Sequence, residues 1–377
     1  MTAPRQSATG RAEQVVITGS YRSGTTLLQK RLDAHPACAV VMQPAVPMFR
    51  VLREVLHRSG AAVSPPSGPM GIEFPGPAER LTNAFAELQV DAATVNRVIE
   101  ATAALAAQSA ARRDTDGLHP AIVPALQRSL RAGPAPEFLE SFFAALRDYR
   151  AAGAEVCIGF KDVYIQELLD PVMACGRHGL RLISILRDPR AVLASRNFGT
   201  FRGAQDGPNL HPILLIARMW CSASRWQHAL RQRHGDRVLL VSYEELASAT
   251  DAAMARVFAY LGLGAAASSD MRAERGIQWR GNSSYEAGPS SGSKPAWQAT
   301  LPSDAIGAIE FLCGEDMARE GYIPTLSKAE QATAFARYRE DAQRLVPWTR
   351  LPGYVLDEVT RHDILRADSS RLASARV

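Results

Sequence analysis

Apolar residues in this chain follow two alternating rhythms. Short β-branched or aliphatic runs occur at Val15-Val16-Ile17-Thr18, Cys38 to Met42, Val156 to Phe160, Arg181 to Leu186 and Arg237 to Ser242. Each is too short for a helix and apolar on both faces, as in a strand of a buried parallel sheet. Between them lie stretches with helical spacing: Thr25 to Asp33, where Leu27, Leu28 and Leu32 share a stripe, Val163 to Cys175, the segment from Pro189 through Asn197, Pro212 to His234, and Ala253 to Leu261, which Gly262 and Gly264 end. Strand–helix alternation of this kind predicts an α/β domain of three layers with a parallel central sheet.

Residues 50–150 break that rhythm. Val51 to Arg58, Asp91 to Ala111 and Pro136 to Ala151 read as amphipathic helices, the last with Phe138, Leu139, Phe142, Phe143 and Leu146 on one face. A Pro/Gly-rich loop runs from Ser64 to Pro77. The segment is expected to be a helical insertion lying over the sheet, with the main domain spanning 14–325 and a helical, then polar, tail over 326–377. Ser303 to Glu320 forms the last helix before Gly321-Tyr322.

The first strand carries the most specific chemistry. It runs into Gly19-Ser20-Tyr21-Arg22-Ser23-Gly24 and then a helix, the layout in which loop N–H groups and a helix N-terminus converge on an anion. The Gly-x4-Gly spacing is P-loop-like, but Thr25 stands where a nucleotide kinase needs lysine, and the cation of the loop is Arg22. The Arg181–Leu186 strand delivers Arg187 to the sheet edge, with Ser195 expected two helical turns further on. An arginine fork and a serine hydroxyl suit a second phosphate. Val156 to Phe160 delivers Lys161, which can neutralise charge developing on oxygen. Cys38 to Met42 delivers Gln43, which cannot titrate.

Composition changes this picture little. The chain has 377 residues, 46% hydrophobic and 21% charged, ordinary for a protein with a sizeable core. A net charge of +5 suits an anionic ligand, and the absence of a dense Lys/Arg run argues against nucleic acid. Five scattered cysteines give neither a disulfide framework nor a zinc knuckle and fit a reducing compartment. No apolar N-terminal region or membrane-length run is visible, so a cytoplasmic location is expected.

The string Arg22-Ser23-Gly24-Thr25-Thr26 between strand and helix resembles the 5′-phosphosulfate loop of the sulfotransferases that use 3′-phosphoadenosine 5′-phosphosulfate (PAPS) on a P-loop fold. The trailing Asp-Ala-His-Pro (Asp33 to Pro36), the Arg187/Ser195 pair, Tyr243-Glu244-Glu245-Leu246 and Gly281-Asn282-Ser283-Ser284-Tyr285 are similar to that family as well. The resemblance covers roughly 14–42 and 156–322. It implies transfer of a sulfonate from PAPS to a hydroxyl or amine of a small-molecule acceptor, with PAP as product and no metal. It implies cofactor binding by Arg22, Ser23, Gly24, Thr25, Thr26, Arg187, Ser195, Tyr243, Ser283, Ser284 and Lys294, and catalysis by Arg22, Lys161 and Ser284. Many relatives carry glutamate near Gln43 as general base. Here Gln43 can only orient the acceptor, and His119, His57 or Glu73 in the insertion could supply the base. The insertion's apolar faces suggest a bulky acceptor such as a natural product or a lipid-linked sugar. Two other readings stay open: a kinase with an atypical lysine, and a nucleotide-binding module without catalysis.

Overall fold

The apolar runs become neighbours in a single sheet. The computed structural model describes residues 13–60, 78–111, 117–154, 156–163, 165–176, 179–195, 213–264 and 297–340. Its strands are β1 (Gln14–Gly19), β2 (Cys38–Met42), β3 (Gln89–Val90), β4 (Gly133–Pro134), β5 (Cys157–Lys161), β6 (Leu180–Leu186) and β7 (Val238–Ser242). Five of these form a parallel sheet in the order β2-β5-β1-β6-β7, and β3 and β4 make a separate antiparallel pair. The register sets Ile17 and Met42 beside Lys161, and Gly19 beside Ile185. The ends of β1, β2, β5, β6 and β7 therefore share one edge. Ligands of open α/β sheets sit beyond that carboxyl edge.

Alternate strand residues enter different cores, which is why the runs read as apolar throughout. Val16, Val41, Phe160 and Leu182 face one buried cluster; Val15, Ile17, Val40, Ile183 and Ile185 face another. The first cluster is roofed by α2 (Ala45–Arg58), α3 (Ala78–Ala86), α4 (Ala92–Ala111), α5 (Ile122–Ser129), α6 (Ala135–Tyr149) and α7 (Gln166–Cys175). Phe142 and Phe143 of α6 meet Phe160 with ring centroids 5.9 and 5.6 Å apart. The inserted segment is thus the helical layer on one face of the sheet. The other face is covered by α1 (Thr25–Asp33) and α11, the helix at Thr250–Tyr260.

The remaining helices are α8 (Pro189–Leu193), α9 (Ile213–His234), α10 (Tyr243–Ser248), α12 (Trp297–Thr300), α13 (Ser303–Arg319) and α14 (Lys328–Glu340). A third buried cluster gathers residues from α8, α9, α12, α13 and α14. Helix α14 starts the expected tail, yet Phe335 is fully buried and stacks on Phe311 at 4.8 Å.

Several boundaries differ from the sequence expectation. Helix α2 begins at Ala45 rather than Val51, because its N-terminus is tied to Asp162. Helix α7 begins at Gln166 rather than Val163, since Val163 and Ile165 turn into the core in a non-helical link. Strand β7 begins at Val238, with Arg237 in a short 3-10 turn. The helix after Arg187 stops at Leu193, with Ala194 as its C-cap. Ser195 is therefore not two turns along a helix; it follows the end of one. No helix among the described residues is long and apolar enough to cross a membrane.

Candidate active site

The β1–α1 loop is built to leave donors exposed to a ligand. Gly24 sits in the left-handed region at φ 91° and precedes α1, whose N-terminus has no side-chain cap and no acidic residue in its first turn. Uncapped N–H groups at a helix start attract an anion. A Cβ on Gly24 would lie 2.4 Å from the Tyr243 ring, so only glycine fits there. A Cβ on Gly19 would lie 2.1 Å from the Ile185 carbonyl oxygen, which explains the first glycine. Arg22 also adopts a left-handed backbone, φ 63°, which costs strain in a non-glycine residue. Ser23 Oγ and N–H both donate to the Ser20 carbonyl, at 2.6 and 3.2 Å, which shapes the loop. Thr25 is buried and Thr26 half-buried at the start of α1.

The second signature closes onto the first. Arg22 Nε donates to Ser195 Oγ at 3.0 Å. The Arg187 guanidinium lies 4.2 Å from the centroid of the Tyr243 ring, the same ring that packs under Gly24. Arg187 Nε is buried and finds no hydrogen-bond partner among the described residues. The hydroxyls of Thr18 and Ser20 are likewise buried without partners there. Buried donors without partners are costly unless a ligand completes them. Cationic forks, unpaired donors and a bare helix N-terminus together fit a bisphosphorylated nucleotide.

Residues that the sequence reading left aside hold this arrangement. The Trp220 indole N–H donates to the Arg187 carbonyl at 2.7 Å. Glu244 accepts from the Asp188 N–H and from the Tyr322 hydroxyl, both at 2.9 Å. Burial and the facing Glu244 carboxylate push the Tyr322 phenol far up. Arg190 bridges Asp188 and Glu310 at 2.8 and 2.7 Å and stacks over Trp297. Gln166 Nε2 donates to the Gly19 carbonyl at 2.9 Å, pinning the start of the loop to α7. The sequence signals for Glu244 were its place after a strand end and the family-like Tyr243-Glu244-Glu245-Leu246 run; Gln166 and Trp220 carried none.

The ends of β2 and β5 lie beside each other. The Gln43 N–H donates to the Lys161 carbonyl at 2.8 Å, and Gln43 is half-buried at φ 51°. Lys161 is buried, 3% exposed. Asp162 follows it, fully buried, with Oδ2 accepting from the Ala45 N–H at 2.8 Å. Burial pushes its carboxyl up to about 7, against the opposing pull of Lys161 and of the Ala45 and Val46 N–H groups. A cleft of about 330 Å³ opens next to this corner between α2 and α4, with Val46, Val51 and Leu105 as apolar lining and Arg50, Glu54 and Arg97 as polar lining.

His119 sits in the turn before α5, where its Nδ1 accepts from the Ala121 N–H at 3.1 Å and its carbonyl from the Ile122 N–H. Ser283, Ser284, Lys294 and Glu73 lie outside the described residues, as does the His57 side chain.

With this geometry in place, residues 174–320 match the family model described as the sulfotransferase domain. The matched segment contains Arg187, Ser195 and Tyr243; the β1–α1 loop and Lys161 precede it in sequence and meet it in space. Carbohydrate sulfotransferase 5 of Mus musculus is 26% identical over 212 residues, 47% of this chain and 52% of that protein. The sulfotransferase match thus spans about half the length of that curated relative. Among solved structures, the sulfotransferase domain of the olefin synthase of Synechococcus PCC 7002 is 14% identical, with 90% of this chain and 98% of that chain covered at a TM-score of 0.39. Retinol dehydratase in complex with androsterone and inactive cofactor PAP is 15% identical, with 81% of each chain covered at a TM-score of 0.36.

Proposed function

We propose that this protein is a PAPS-dependent sulfotransferase that moves a sulfonate to a hydroxyl or amine of a small-molecule acceptor. The observation that carries the reading is the junction of the two phosphate signatures. Arg22 reaches Ser195, and Tyr243 sits between Gly24 and Arg187. PAPS, when bound, supplies an activated sulfonate on its 5′-phosphate. The bare N-terminus of α1 with Thr25 and Thr26 would hold that 5′-phosphate, and Arg187 with Ser195 the 3′-phosphate. Arg22 and Lys161 bring positive charge to the bridging oxygen, where negative charge develops as transfer proceeds, so catalysis is positioning plus electrostatic stabilisation. Ser283 and Ser284, in the Asn-Ser-Ser-aromatic segment, and Lys294, further along the same Gly/Ser-rich stretch, are assigned to the same ligand.

On the acceptor side, Gln43 orients the nucleophile and the segment 50–150 shapes its pocket. The cleft between α2 and α4 combines an apolar lining with charged groups. That lining suits an acceptor with an apolar body and hydroxyl groups, such as a natural product or a glycoconjugate. His119, His57 and Glu73 are the candidates for the general base.

A thermal-shift titration with PAP, beside ATP with magnesium, tests the donor. A ligand at about 100 times its dissociation constant stabilises the fold by roughly 2.7 kcal/mol. A shift with PAP and none with ATP–magnesium supports PAPS; the reverse pattern replaces the sulfotransferase reading with a kinase.

A further inference from the structure

Asp162 occupies a junction that neither phosphate signature uses. Its N–H donates to the Ile17 carbonyl at 3.0 Å, closing the β5 end against β1. Its side chain crosses to α2 and accepts from the Ala45 N–H at 2.8 Å. Two residues before Ala45, the Gln43 N–H donates back to Lys161. One fully buried residue thus joins the donor-side strands to the first helix of the acceptor side. The second carboxylate oxygen, Oδ1, is buried without a hydrogen-bond partner among the described residues. A carboxylate that accepts from the N–H groups at a helix start acts as a cap. A buried carboxylate with one oxygen unpaired is expensive, and its position between Lys161 and Gln43 gives the cost a use.

We infer that Asp162 is a positioning residue that locks the start of α2, and with it Gln43 and the Val46 side of the cleft, to the strand that carries Lys161. The inference rests on the sulfotransferase reading for its link to turnover. The bond from Ala45 N–H is charge-assisted only while the carboxyl is ionised. Among the described residues, Lys161 is the charged group acting on Asp162, and α2 presents the Ala45 and Val46 N–H groups. Burial places the ionisation near neutrality.

The test compares wild type, Asp162→Asn and Asp162→Ala in the full chain. Hydrogen exchange is followed by mass spectrometry in the peptide covering residues 43–52, corrected for intrinsic rates, at pH 8. PAPS consumption with 2-naphthol as acceptor is followed at the same pH, and PAP binding is measured by calorimetry. Asp162→Ala should lose protection in this peptide by roughly tenfold or more, the loss of a hydrogen bond to a charged group, and turn over more slowly while binding PAP as wild type does. Asp162→Asn, which keeps an oxygen for the Ala45 N–H, should retain part of both. Wild-type protection and turnover in Asp162→Ala overturn the inference while PAP binding stands. Failure of wild type to bind PAP overturns the donor reading instead, and the hydrogen-exchange result then still decides whether Asp162 locks α2.

Discussion

Arg22 Nε donates to Ser195 Oγ at 3.0 Å across a separation of 173 residues. Arg22 leaves the sheet after β1 and Ser195 after β6, neighbouring parallel strands, so the contact follows from the strand order. It joins the β1–α1 loop to the segment after β6. Ser195→Ala removes an acceptor from a charged donor, worth about 1.5–3 kcal/mol. PAP affinity measured by calorimetry should fall by roughly tenfold or more, and the melting temperature of the unliganded protein should fall as well, because the bond is present without ligand. Unaltered PAP affinity would detach Ser195 from the site.

Gly24 and Tyr243 form the second such pair. Gly24→Ala would place a Cβ 2.4 Å from the Tyr243 ring at a φ of 91°. Steric overlap and backbone strain together should cost about 1–3 kcal/mol in urea unfolding. Adding Tyr243→Ala should recover the steric part and leave the strain. A double variant no more stable than the single one would mean the ring is not what excludes a side chain.

The Arg190–Glu310 pair is almost wholly buried, with side chains 5% and 0% exposed. Glu310 also accepts from the Thr325 and Leu326 N–H groups, at 2.8 and 3.1 Å. Glu310→Ala leaves a buried arginine with less compensation, a loss of about 3–5 kcal/mol. Because Asp188 shares Arg190, the loosening should reach Arg187, and PAP binding should weaken along with stability. A destabilised variant with wild-type PAP affinity would show that the α8–α13 network is separate from the site.

Asp162 should leave a mark on stability as well. Its folded-state carboxyl lies at about 7, above the usual 3.8. The native state therefore holds this proton more tightly than the unfolded chain does. Stability from this group is fully present below about pH 4 and declines as pH rises to about 7. Asp170 and Asp316 are held below the usual range despite burial, Asp170 by His234, Thr82 and Arg233 and Asp316 by Arg225 and Arg319, and act in the opposite sense. Urea midpoints of Asp162→Asn relative to wild type should thus rise steadily between pH 4 and pH 7 and level off above. A constant difference across that window would contradict the assignment.

How much was legible in the sequence follows from how local each signal was. The β1 loop and the place of Arg187 at the end of β6 could be read because strand and loop lie within a few residues. Ser195 was recognised as a ligand candidate but placed on the wrong kind of element, since proline at the helix start says nothing about where α8 stops. Trp220, Gln166 and Glu244 were not legible as site residues. Each acts through a hydrogen bond to a backbone group far away in sequence, and such partners exist only once the sheet order is set. Asp162 read as a companion of Lys161; its bond to Ala45 depends on α2 starting six residues earlier than its apolar pattern indicates.

The most direct test of the account compares PAP with adenosine 5′-monophosphate, which lacks the 3′-phosphate, in calorimetric titrations of wild type and Arg187→Ala. Wild type should prefer PAP by at least roughly tenfold, as expected for a charge-assisted fork on phosphate. Arg187→Ala should bind both nucleotides alike, with its affinity for the monophosphate close to that of wild type. Equal binding of the two nucleotides by wild type, or a preference for PAP that survives in Arg187→Ala, would contradict a site built on two phosphates.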